Sequence, residues 1–272
     1  MTQRVFFLII FIVAAAGTDM ATASPAELPF YIGEKITFEV RWSNILAGET
    51  TLQVMSVAKI ADQDSMHILL TARTSELADI FYKVRDVIES YVDMNMNHSL
   101  AFIQSHKART GKDSRVDFDW GKSQAECFRL DSDSKTVLLP VPEGAFDPLS
   151  VFYAFRLYDL KENEEIRLPV TDGRKVINGR AKVVRRERIQ VAGCDLDTFL
   201  VEPELEGIGG VFEKSREARL QIWVTADRRH IPVRIKSKVA VGSFTAEITS
   251  YDEGAGREKR ILESEQILNP GW

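Results

Sequence analysis

Most of the chain alternates apolar and polar residues with a period of two. Ile36, Phe38, Val40 and Trp42 alternate with Thr37, Glu39 and Arg41. Val116, Phe118 and Trp120 alternate with Arg115, Asp117 and Asp119, and Leu220, Ile222 and Val224 alternate with Arg219, Gln221 and Trp223. Met66, Ile68, Leu70 and Ala72 form another set, as do Val233, Ile235, Val239 and Val241, and then Phe244, Ala246 and Ile248. Successive side chains on a strand point to opposite faces, so this pattern predicts antiparallel strands with one buried and one wet face. Turn signals fall between them at Ala47-Gly48, Asp172-Gly173, Ala226-Asp227 and Val241-Gly242-Ser243. The reading predicts roughly ten to twelve strands.

One segment departs from the pattern. Asp147-Pro148 suits a helix start, since Asp accepts from free N–H groups and Pro fits the first helical position. Leu149 to Leu160 is apolar around nearly its whole circumference, so as a helix it must be surrounded. Burying Leu149, Val151, Phe152, Phe155 and Leu157 would contribute about 1.5–3 kcal/mol each. The expected fold is mainly β: a strongly curved antiparallel half-barrel wrapped around one central apolar helix. A pair of packed sheets with an inserted helix is the alternative. A second short helix is expected over Ser75–Tyr82, capped by Ser75.

The N-terminus adds a compartment. Arg4, the 12-residue apolar run Val5–Ala16 and the A-x-A site Ala21-Thr22-Ala23 read as a signal peptide over residues 1–23. Twelve residues rise about 18 Å as a helix, short of a bilayer core of about 30 Å. Export is expected, to the periplasm if the source is Gram-negative. Residues 24–251 read as one β-rich domain and 252–272 as a polar tail. The net charge of −5 argues against nucleic acid as a partner. Export places Cys127 and Cys194 where a disulfide could form; a bridge would be worth on the order of 4 kcal/mol. Two separate buried thiols are the other reading.

Candidate chemistry is sparse. His67, His98, His106 and His230 are scattered, and His67 and His230 read as solvated, so no metal or cofactor is expected. Asp131 and Asp133 lack the Gly and Glu of a calcium loop, and Ser132-Asp-Ser-Lys135 lacks the companion motifs of penicillin-binding enzymes. Gly207-Ile-Gly-Gly210 reads as a hairpin, or, through Gly209 and Gly210, as a flap at a cavity mouth. The basic run Arg180, Lys182, Arg185, Arg186 and Arg188 reads as a solvated strand face or an anionic contact. Arg156 is the most informative residue, a lone cation in an apolar segment. It pairs with a carboxylate or with carbonyls, or else anchors an anion at a cavity mouth with Tyr153 and Tyr158 nearby. Trp223, on the polar side of its strand, could line a surface groove or pack into a core.

Three stretches together resemble an exported bacterial family, domain of unknown function 3108. They are Leu28–Trp42 with Ala47-Gly48-Glu49, Phe146–Arg156, and Ile222–Lys236 with Val241–Glu247. The resemblance spans about residues 28–251 and implies no catalytic residues. The expected function is a non-catalytic binding module for an apolar or amphipathic envelope ligand, with peripheral contact with the membrane or envelope. The alternative is an accessory protein that binds another envelope protein or polymer, and a hydrolase ranks third. A deep apolar cavity rimmed by Arg156 would favour the first, a filled core with an exposed apolar patch the second, and converging carboxylates of raised pKa the third.

Overall fold

The computed structural model describes residues 28–108, 113–130, 136–204, 219–239, 242–254 and 260–261. The expected signal peptide, the Gly207–Gly210 stretch with Gly209 and Gly210, the Ser132–Lys135 stretch and most of the tail lie outside the described residues.

Fifteen strands form among the described residues: β1 (Lys35–Trp42), β2 (Ile45–Ile60), β3 (Gln63–Thr74), β4 (Arg85–Asp93), β5 (Ser99–His106), β6 (Ser114–Asp119), β7 (Gln124–Arg129), β8 (Val137–Pro140), β9 (Glu165–Thr171), β10 (Val176–Val191), β11 (Cys194–Pro203), β12 (Arg219–Thr225), β13 (Pro232–Val239), β14 (Gly242–Asp252) and β15 (Arg260–Ile261). They make one antiparallel sheet in the spatial order β8-β7-β6-β5-β4-β3-β2-β1-β14-β13-β12-β11-β10-β9, with β15 added to β14. The strands exceed the expected ten to twelve because several do not alternate cleanly. The first four residues of β5 are all buried, so both its faces are apolar.

The sheet is open, yet its two ends meet. Gly173, in the β9–β10 turn with φ +83, lies where a Cβ would stand 2.6 Å from Val116 Cγ2 and 2.8 Å from Cys127 Cβ. Only glycine tolerates both the left-handed backbone and that approach. Gly173→Ala is therefore expected to cost more than about 1 kcal/mol, read as a lowered midpoint of chemical unfolding.

The central helix is smaller than expected. The second helix, α1 (Glu76–Asp79), is capped by Ser75 as predicted, its hydroxyl accepting from Ala78 N, but it is shorter than the expected Ser75–Tyr82. The predicted helix over Leu149–Leu160 is instead one turn, α2 (Ser150–Ala154), followed by a 3-10 turn over Phe155–Leu157, and Tyr158 is already extended. Apolar and aromatic content demanded burial but did not supply helix propensity, and the chain must turn back to reach β9. Asp147 still acts as the cap: its Oδ1 accepts from Leu149 N at 2.8 Å and Ser150 N at 2.9 Å. Leu149, Val151 and Phe155 join the inward side chains of the strands in one hydrophobic cluster.

The up-and-down pairing gives the sheet two rims. One carries the short turns β2–β3, β4–β5, β6–β7, β10–β11 and β12–β13. The other carries the β1–β2, β3–β4, β9–β10 and β13–β14 connections. Below these are the turn rim and the loop rim.

Candidate functional site

At the turn rim, Arg156 is 2% exposed and its guanidinium makes four hydrogen bonds. It donates to Glu34 Oε1 at 2.6 Å and Oε2 at 2.9 Å, to Arg229 O at 2.9 Å and to Pro29 O at 3.3 Å. Phe30 and Tyr153 rings lie 5.0 and 5.3 Å from its central carbon. Tyr251 OH donates to Glu34 Oε2 at 3.3 Å. Burial opposes the charge on Arg156, but the Glu34 carboxylate outweighs it and raises the pKa. The pairing reading of Arg156 holds, and the anion-anchor reading is corrected: the side chain is buried and its charge is matched by the Glu34 carboxylate. Tyr153 is likewise a core residue, with no exposure and no hydrogen-bond partner for its hydroxyl. Glu34 was missed, because a Gly-Glu-Lys run reads as a solvated turn in sequence.

A second buried centre fastens α2 to the sheet. Asp147 Oδ2 accepts hydroxyl bonds from Ser90 of β4 at 2.5 Å, Ser99 of β5 at 2.6 Å and Ser150 of α2 at 2.8 Å. Burial raises the Asp147 pKa, while these donors pull it the other way. A raised carboxyl was the sign set for hydrolase chemistry, but Asp147 is 0% exposed and both its oxygens are taken.

The cleft between α2 and the β9–β12 strands is apolar. Val151, Phe152 and Phe155 face Ile166, Leu168, Val201, Ile222 and Val224, with Arg156, His230 and Pro232 at its border, and it has room for about one water. Phe152 also lines a smaller cavity with Phe38, Leu52 and Leu149. Both cavities are small.

His230, expected to be solvated, is buried at 6% exposure, and its Nδ1 lies 3.1 Å from Thr225 O. Burial lowers its pKa below the ordinary 6.5, despite Thr225 and Asp227. The unfolded chain then binds the proton more tightly, so stability is full above that ordinary value and falls as pH drops below it. We expect the unfolding midpoint to fall between about pH 7.5 and about pH 5, with a shallower slope in His230→Asn. Asn suits the φ of +45 at this position.

The other candidates are dispersed. Trp223 is 7% exposed and covered: its Nε1 donates to Glu187 Oε1 at 2.9 Å, and Arg234 and Lys236 lie over its ring. Trp223 opposes Arg234, which opposes Glu247, and Glu247 opposes Glu39 in one row across the outer face. Cys127 and Cys194 are free thiols on β7 and β11 rather than a bridge. Burial raises the Cys127 pKa. The basic run on β10 is exposed and ion-paired, as its solvated-face reading predicts: Arg180 with Glu204, Arg185 with Glu187, and Arg186 with Asp197. His67, also expected to be solvated, is partly buried, stacks on Tyr91 at 4.5 Å and lies 2.9 Å from Glu89. No cluster of three or more His, Cys, Asp or Glu suited to a metal occurs among the described residues.

The feature that sequence reasoning missed is at the loop rim. Ile45 and Leu46 at the start of β2, and Leu77, Ile80 and Phe81 in the β3–β4 connection, are 57%, 44%, 59%, 75% and 83% exposed. The two segments touch: Ser75 N donates to Ala47 O at 2.9 Å and Ser75 Oγ to Leu46 O at 3.1 Å. Trp42, 45% exposed, ends β1 at the same rim and stacks on Phe244. Ile45, Leu46, Leu77, Ile80 and Phe81 are thus large apolar residues left exposed on two adjoining connections. The available signal was Ile80-Phe81-Tyr82, an apolar run with no alternation after a capped turn.

Fold and sites together define a barrel-like open antiparallel sheet with exposed apolar residues on two adjoining connections. The chain belongs to the family of proteins of unknown function DUF3108, which it matches over residues 37–249. Its fold is similar to that of a beta-barrel-like protein of domain of unknown function DUF1849 from Brucella abortus, with a TM-score of 0.54 at 8% identity, covering 83% of this chain and 99% of that one. A Bacteroides fragilis protein of YmcC-like fold aligns with a TM-score of 0.37 at 7% identity, over 83% of this chain and 98% of that one. No curated protein matches the chain.

Proposed function

We propose that the protein is an exported, non-catalytic accessory module of the cell envelope, periplasmic in a Gram-negative source, that acts by surface contact. One observation carries this reading: Leu77, Ile80 and Phe81 stand out at the loop rim, while the cleft beside α2 has room for only about one water. Export rests on the N-terminal sequence, Arg4 followed by Val5–Ala16 and an A-x-A site. The test is a photoreactive amino acid at position 81 in living cells, with position 57 as comparison. Val57 is also exposed, at 43%, but lies toward the turn rim. Discrete adducts from position 81 alone are expected; equal labelling from both positions would defeat the reading.

Enclosure of an apolar or amphipathic ligand is the second reading, supported by the apolar walls of the cleft beside Phe152. Phe152→Ala would join that cleft to the smaller cavity behind it. Native mass spectrometry of protein taken from the periplasm without detergent should then show an added mass that is lost on denaturation, with higher occupancy in Phe152→Ala. A bare mass in both proteins would end this reading.

A further inference from the structure

The buried centre at Asp147 holds more close oxygen contacts than its hydroxyl groups can fill with protons. Asp147 Oδ2 lies 2.6 Å from Ser99 Oγ and 2.8 Å from Ser150 Oγ, and those two hydroxyl oxygens lie 2.7 Å from each other. The three oxygens form a nearly equilateral triangle. Ser90 Oγ, 2.5 Å from Oδ2, adds a fourth contact. All four distances are hydrogen-bond distances, and each needs a proton between its oxygens. A serine hydroxyl carries one proton, so the three serines supply three. With an ionised carboxylate, one side of the triangle is left as two lone pairs face to face. All four residues are fully buried, so no water relieves it.

A fourth proton, on Oδ2, closes the count. Oδ2 then donates to Ser150, reversing that bond; Ser150 donates to Ser99, and Ser99 back to Oδ2. Ser90 donates to Oδ2 from outside the ring. Ser99 Oγ still accepts from Asp147 N at 2.7 Å, and Oδ1 keeps the Leu149 and Ser150 amides. Each contact now holds one proton, and a ring of bonds running in one direction strengthens its members.

We propose that Asp147 is a neutral carboxylic acid in the folded protein at neutral pH, and that its proton is the latch between α2 and strands β4 and β5. Burial pushes the carboxyl the same way, above its ordinary 3.8, and the bonds that oppose burial come from uncharged groups. The charged and titratable residues of the surrounding elements are engaged elsewhere. On β4, Tyr91 bonds to Glu89, Arg85 pairs with Asp79, Asp86 pairs with His106 of β5, and Asp93 accepts from amides in the β4–β5 turn. Glu165 and Arg167 of β9 pair with each other, Arg156 pairs with Glu34, and Tyr153 of α2 lies against Phe30. Because α2 carries Val151 and Phe152, which wall the apolar cleft, losing the proton loosens that wall. The folded protein binds this proton more tightly than the unfolded chain does. The latch is therefore full below the ordinary carboxylate range and is lost as pH rises through the raised value.

The experiment is infrared spectroscopy of the full mature protein at neutral pH, with and without an isotopic label on the aspartate side-chain carboxyl. The wild-type protein should show a label-sensitive carboxylic-acid carbonyl band. The band should be absent in Asp147→Asn and moved to higher frequency in Ser150→Ala, which removes the acceptor of the acid proton. Chemical unfolding gives the second readout. The folding equilibrium constant of the wild type relative to Asp147→Asn should fall roughly tenfold per pH unit between the ordinary carboxylate range and neutrality. The His230 contribution is common to both proteins and cancels. Should Asp147→Asn fail to fold, the label and Ser150→Ala still read the acid band directly. A wild-type protein with no label-sensitive acid band, a band that Ser150→Ala leaves unmoved, or a stability ratio that stays flat with pH would overturn the inference.

Discussion

Arg156→Met is expected to destabilise the protein by about 3–5 kcal/mol, because it leaves the Glu34 carboxylate buried without its cation. Glu34 is 0% exposed, and its remaining side-chain donor is the Tyr251 hydroxyl. The carbonyls of Pro29 and Arg229 lose their side-chain donor in the same step. For a domain of this size the loss corresponds to a fall of roughly 6–20 °C in the thermal midpoint. Glu34→Leu should be damaging for the mirror-image reason, a guanidinium stranded against two aromatic rings. The double variant tests the argument. Removing both charges also removes both desolvation penalties, so Glu34→Leu with Arg156→Met should be more stable than either single variant. A double-mutant cycle by chemical denaturation reads this directly. Additive losses would mean that the pair is not the energetic unit that its geometry describes. Because the pair joins the segment before β1, the turn after α2 and the β12–β13 turn, its loss should also free the turn rim while sparing the loop rim.

How much of this was legible in the sequence depends on the distance over which each residue acts. Alternation is local, so the inward positions Ile36, Phe38 and Val40, Val116 and Phe118, and Leu220, Ile222 and Val224 were read correctly, while Trp42, read as inward, is exposed at the end of β1. Capping is local too, and Ser75 and Asp147 were both placed at helix starts. Arg156 could be read as needing a partner, but Glu34 lies 122 positions away and no local signal links them. Trp223 shows the same limit. Its position on the polar face was correct, yet its burial depends on Glu187, Arg234 and Lys236 from other strands. The helix over Leu149–Leu160 was overextended because an apolar segment announces that it is buried, not which backbone it adopts once inside. The loop rim was missed for the opposite reason. Ile80 and Phe81 look like core residues until the topology places them beyond the ends of the strands.

Asp147→Ala is expected to cost about 4 kcal/mol, the other large effect in the molecule. The loss has two parts. Leu149 N and Ser150 N lose their capping acceptor at the start of α2, and the hydroxyls of Ser90, Ser99 and Ser150 lose their shared one. All of these groups are buried, so water cannot replace the carboxylate without opening the sheet. Asp147→Asn separates the two parts. Its amide oxygen can keep the two backbone bonds, while its NH2 group faces hydroxyls that must rotate from donating to accepting. A loss near half that of Asp147→Ala is therefore expected. Native-state hydrogen exchange provides the second readout: the Leu149 and Ser150 amides should lose protection in Asp147→Ala and largely retain it in Asp147→Asn. Equal loss in both variants would show that the serine hydroxyls, and not the helix cap, carry the energy of this centre. That outcome would relocate the anchor of α2 from its own N-terminus to the β4–β5 strands beneath it.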